Sequence, residues 1–173
     1  MKKLAESRAP LDLEAICRKA YRQTKLKRGN PRAISILMGQ LCPRAELQLV
    51  DIGIPPGKAL LEFHITICTS IKVSGRMTKE ERNWTYAKVC ARVLGHQLNY
   101  CSGVVWTDCE VNAVALILLM PSAALYEDLR DMSHEQIALV YGVSDEIVRR
   151  RLYELRGFGL HEDCLPTSAK ARR

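Results

Sequence analysis

No stretch of this 173-residue sequence is apolar for long enough to cross a membrane. The longest apolar run, within "AVALILLMP", stops at Pro121, whereas a spanning helix needs about 20 such residues. The opening "MKKLAESRAPLDLE" is basic and lacks the apolar segment of a secretory leader, so secretion is not expected and a cytoplasmic location is the default. Internal repeats and low-complexity segments are also missing. So is any CxxC pair: the seven cysteines (Cys17, Cys42, Cys68, Cys90, Cys101, Cys109 and Cys164) are odd in number and scattered. Several lie inside apolar segments such as "EAICRKA" and "FHITICTS". That placement favours reduced thiols packed as small hydrophobes over disulfides or a zinc knuckle.

What is present describes about one domain with room for a small appended module. Hydrophobic residues make up 47% of the chain, enough for a real core. The formal net charge is +7, which is compatible with a nucleic-acid partner. The cations are dispersed, however, over "RKAYRQTKLKR", the "RRR" at 149–151 and the terminal "KARR". Each patch alone describes a solvated face.

The periodicity predicts an α+β order of elements. Residues 11–28 form an amphipathic helix with a basic outer face, and "NPRAISILMGQLCP" a shorter one between Pro31 and Pro43. "ELQLVDIGI" is a strand, "IPPGK" a turn, and "ALLEFHITICTSIKVS" one or two further strands with Leu61, Phe63, Ile65 and Ile67 on one side. Capping boxes at Thr78/Glu81 and Thr107/Glu110 open a long helix to about Asn99 and an apolar helix ending at Pro121. A short helix over "SAALYEDLRD" follows. Ser133 and Ser144 then cap two helices around Gly142, with helix-turn-helix spacing.

The ordered series Glu110-Val111-Asn112, Leu118-Leu119-Met120-Pro121, Ala138, Tyr141, Val143-Ser144 and Arg151-Leu152 resembles the ImmA/IrrE family of small metallopeptidases. The resemblance spans about residues 10–156. It implies a zincin-like core over residues 10–130: helices, a small mixed β-sheet and two motif helices. It further implies a helix-turn-helix-like unit over 131–160 packed on that core, and 161–173 is expected to be a disordered tail.

The family's chemistry needs His-Glu-x-x-His on a helix, where histidines one turn apart hold zinc and the glutamate serves as general base. Aligned on Leu94-Gly95-His96, this chain keeps the second histidine, His96, and the downstream acid, Glu110. Arg92 stands at the first histidine and Val93 at the general base. An arginine donates only and cannot ligate a cation, and valine moves no proton. The site is therefore read as degenerate, with no catalytic residue and no cofactor expected. If any metal bound, His96 and Glu110 would hold it, with Cys101 or Cys109 as the third donor. His64 is expected to be a sheet-face histidine.

Three functions follow. The first is a non-catalytic regulator or binding module tied to a mobile genetic element, with a protein partner such as a helix-turn-helix repressor. The second is a DNA-binding regulator through residues 134–156, with Arg149, Arg150, Arg151 and Arg156 on phosphates, although its second helix begins with two carboxylates, Asp145 and Glu146. The third is an endopeptidase with non-standard ligands. For the degenerate site itself, the expectation is that Arg92 and Glu110, with His96 alongside, form an ion pair where zinc would sit.

Overall fold

A computed structural model describes residues 13–22, 33–103 and 105–156. The described part is α+β: helices α1 (Leu13–Arg22) and α2 (Ala33–Leu41), strands β1 (Glu46–Val50), β2 (Ala59–His64) and β3 (Ile67–Ser74), then helices α3 (Lys79–Ser102), α4 (Asp108–Leu119), α5 (Ser122–Asp128), α6 (His134–Tyr141) and α7 (Asp145–Leu155). The first helix is observed over ten of its expected residues, and 23–32 lie outside the described part, as do 157–173 with Cys164 and the expected tail.

The sheet has the order β1-β3-β2, with β1 parallel and β2 antiparallel to the central β3. The pairs Leu47↔Ile71, Leu49↔Val73, Ala59↔Val73 and Leu61↔Ile71 put these side chains on one face. Ile71 and Val73 are fully buried there. A register shift between Glu62 and Phe63 resets the alternation, so that Cys68 pairs with Phe63 and joins the inward row. The single apolar row expected over Leu61–Ile67 is broken at the hairpin. Ile65 sits in the tip with φ 58, a conformation a β-branched side chain seldom adopts, and both it and Ile67 are exposed.

Both capping boxes form. Thr78 and Thr107 each accept a hydrogen bond from the glutamate amide three residues on, and each glutamate carboxylate accepts from the threonine amide in return. These caps fix the starts of the two long helices, and Gly103, at φ 68, ends the first. The second, α4, is apolar on every side and accordingly buried from Ala113 to Leu119. It packs along α3 and forms the middle of the molecule, with α1 against its far side. Among the described residues no single helix is long and apolar enough to cross a membrane; α4 and α5 together pass by length and composition but are bent by 53°.

The C-terminal helices α6 and α7 do not stand apart. Ile137, Val143, Val148 and Leu152 are buried in the common core, and Ile147 packs against it. Each such burial contributes about 1.5–3 kcal/mol. Two polar ties add direction. Asn83 of α3 donates to the Gly142 carbonyl between the helices at 2.8 Å. Arg151 of α7 donates through Nε to the Met120 carbonyl at 3.1 Å and through Nη2 to Glu14 of α1 at 2.7 Å and to Ser122 at 2.6 Å.

Candidate functional site

An open groove of about 470 Å³ lies between β2, the turn of α3 around His96, and the loop entering α4. Leu60, Leu61 and Phe63 form one wall, Arg92, His96 and Asn99 the floor edge, and Val105, Trp106 and Asp108 the other wall. β2 is an edge strand of the sheet, and Ala59, Leu60, Leu61 and Phe63 along it line the groove. Gly95 forms the floor between Arg92 and His96. A methyl group there would lie 2.8 Å from Cε3 of Trp106, so the indole rests directly on the helix backbone.

The degenerate motif is arranged in a way the sequence reading did not foresee. His96 stacks on Phe63, with ring centroids 4.0 Å apart and planes at 25°. Its Nε2 lies 2.7 Å from the Ile65 carbonyl oxygen. A carbonyl only accepts, so this nitrogen carries the proton and its lone pair is unavailable to a cation. The histidine therefore ties the strained hairpin tip to α3.

The expected Arg92–Glu110 pair does not form. Arg92 meets Asp108 instead, with Nη2 3.5 Å from Oδ1, and both side chains are substantially exposed. Glu110 is committed to its own helix start: its Oε2 accepts from the Thr107 amide at 2.6 Å and from the Thr107 hydroxyl at 3.0 Å. The physical reason is local. A glutamate at the third helical position reaches back to the cap with little loss of freedom, whereas Asp108, two residues earlier, projects toward α3. Val93, at the general-base position, is not in the groove but fully buried in the core.

These residues do not fit a zinc ion. Arg92 brings a positive charge to the position, His96 has spent its outward nitrogen, and Glu110 is held at its cap. Cys101 is exposed and Cys109 half-buried. Among the described residues, no three His, Cys, Asp or Glu side chains converge as metal donors, so the Cys101/Cys109 alternative is not assembled. His64 lies exposed at the end of β2. The other thiols, Cys17, Cys42, Cys68 and Cys90, are buried. Burial, reinforced by the neighbouring Cys68, pushes the Cys42 thiol up to about 12, which makes it unreactive at neutral pH.

The four arginines expected on phosphates are split by the structure. Arg151 is only 4% exposed and wholly engaged inside the protein, so it leaves the set. Its place was visible in the stripe Ile147, Val148, Arg151, Leu152, Leu155, in which it occupies a core-facing position. Arg149 pairs with Asp145 at 2.7 Å, and Arg156 is exposed at the helix end. Arg150 instead turns toward α3, 5.9 Å from the ring centroid of Trp84, which Lys88 also overlies at 5.6 Å. Sequence reading missed Phe63, Trp84, Lys88, Trp106 and Asp108, because their partners are remote in the chain. Comparison with protein-family models, with curated proteins and with solved structures finds no match.

Proposed function

We propose that this chain is a non-catalytic, peptide-binding regulator built on a zincin-like scaffold. In this reading it is a degenerate relative of the ImmA/IrrE-type peptidases, linked to a mobile element and acting on a helix-turn-helix repressor. The observation that carries it is the groove. The edge strand β2 lines it, apolar and aromatic walls flank it, and its former ligand positions are committed to structure. An extended segment of a partner can add to such an edge through main-chain hydrogen bonds, with alternate side chains entering the groove. The resemblance in the ordered motif series supports a repressor as that partner, and the presence of two short C-terminal helices is compatible with the family's helix-turn-helix-like unit.

Direct DNA reading by α6 and α7 has less support. The start of α7 presents Asp145 and Glu146, Arg151 is interior, and Arg149 is already paired.

The test is a two-hybrid panel of helix-turn-helix repressors, with each positive pair re-measured by calorimetry using pure proteins. The expected result is a complex in which the repressor stays intact by mass spectrometry, weakened about tenfold or more when Asn99→Trp fills the groove. Binding that ignores Asn99→Trp, or zinc-dependent cleavage of the repressor, would defeat the proposal.

A further inference from the structure

At the Ala59 end, the groove runs into a small depression lined by Lys58, Ala59, Thr85, Lys88, Val89 and Arg92; Ala59 and Arg92 line both. Lys58, in the turn before β2, and Lys88 and Arg92 of α3 therefore gather at one end of a groove whose lining is about as polar as it is apolar. Arg150 of α7 adds a fourth beside them, because it and Lys88 each lie over the ring of Trp84. Among the described residues, the carboxylates that meet the group are Asp108, engaged with Arg92 at 3.5 Å, and Glu154 beside Arg150. Holding ammonium and guanidinium groups this close is unfavourable without a counter-charge. The crowding registers on Lys88: burial first, then Lys58 and Arg92, push its ammonium below the ordinary lysine range, against the opposing pull of Asp108. Trp84 offsets part of that cost, since an indole face attracts cations.

Resting on the peptide-groove reading, the geometry points to a carboxylate-bearing ligand: the groove takes an extended peptide whose acidic side chain lies over the mouth of the Lys58–Lys88–Arg92 depression at the Ala59 end. That depression, of about 10 Å³, itself holds no more than a water. An acidic peptide suits the site better than a nucleic acid does. The cations form one spot continuous with a strand edge, whereas a phosphate backbone needs a track of them. The neighbouring cations that would extend such a track are used elsewhere, Arg149 by Asp145 and Arg151 by Glu14. A polyanion following the groove would also meet the exposed Asp108.

The experiment uses fluorescent, end-capped hexapeptides of alternating threonine and valine, carrying glutamate, glutamine or lysine at either end. Binding to the full chain and to Lys58→Met/Lys88→Met is read by anisotropy, with melting curves to show that the variant is folded. The expected result is that the glutamate peptide binds about tenfold tighter than the glutamine one, at one end only and less so at high salt. The double variant should erase that ratio while leaving the glutamine peptide unchanged. Equal binding of glutamate and glutamine peptides would overturn the carboxylate inference but leave the groove reading intact. No binding of any peptide would overturn both. A single-stranded or duplex 20-mer whose binding disappears in the double variant, with peptide preference unaffected, would assign the cations to nucleic acid and overturn the inference.

Discussion

Two arginines that each face a carboxylate behave in opposite ways. Arg151 has a side chain 5% exposed, donates to Glu14, Ser122 and the Met120 carbonyl, and joins α1, α5 and α7. Arg92 has a side chain 39% exposed and a single carboxylate partner, Asp108, itself 80% exposed and 3.5 Å away. In the sequence the two were read differently: Arg92 stood at the motif and was expected to pair with Glu110, while Arg151 belonged to a basic run expected on a solvated face or, in the DNA-binding alternative, on phosphates. The difference is one of desolvation. A buried guanidinium is retained only when its donors are satisfied, so it becomes a fixed cross-link. An exposed one gains little from its partner and stays available to a ligand.

The largest expected effect breaks the buried side of this comparison. Arg151→Met keeps volume but leaves Glu14 with the Ser122 hydroxyl in place of a cationic donor and removes the guanidinium from the Met120 carbonyl, and should cost on the order of 3 kcal/mol in urea unfolding. A loss under about 1 kcal/mol would mean that Arg151 is no cross-link.

A second effect, of about 2–3 kcal/mol, comes from the other carboxylate beside the same guanidinium. Burial raises Glu154 to about 7 from an ordinary 4.5, even though Arg151 and Arg150 pull it down. Between roughly those two values the folded chain holds a proton that the unfolded chain has lost. The contribution from Glu154 therefore falls as pH rises through that window, and is weakest above pH 7. Melting temperature measured from pH 4.5 to 8 should show this decline, and Glu154→Gln should flatten it. An unchanged slope in the variant would refute the assignment.

The smallest effect sharpens the exposed side. Arg92→Met should change stability by less than about 0.5 kcal/mol, because the pair it breaks is solvated and long. A loss comparable to that of Arg151→Met would show that the groove pair carries structural weight after all.

Local signals were the legible ones. The caps at Thr78, Thr107, Ser133 and Ser144 are hydrogen bonds between residues three apart, so spacing alone shows them. The first strand and the apolar α4 followed from hydrophobic pattern in the same way, whereas over residues 59–74 that pattern left one strand or two open. The candidate site was legible only in its positions. Arg92, His96 and Glu110 could be named as candidates, and two of them, Arg92 and His96, line the groove. That His96 would turn to Ile65, 31 residues away, or that Glu110 would prefer its own cap to Arg92, could not be read. Those outcomes depend on which backbone carbonyl and which wall the hairpin brings near α3, and no residue spacing encodes that.

Gly95 has a consequence for how the groove can diversify. Its floor at this point is main chain pressed against an indole, with 2.8 Å left where any other residue would place a methyl group. A substitution there must displace Trp106 and the wall it forms, so the floor is closed to gradual change. Substitutions at the rim, at Leu60, Asn99 and Val105, meet no such barrier, because side chains there have solvent to move into, so the groove can be reshaped from its edges while the glycine–tryptophan contact holds its floor.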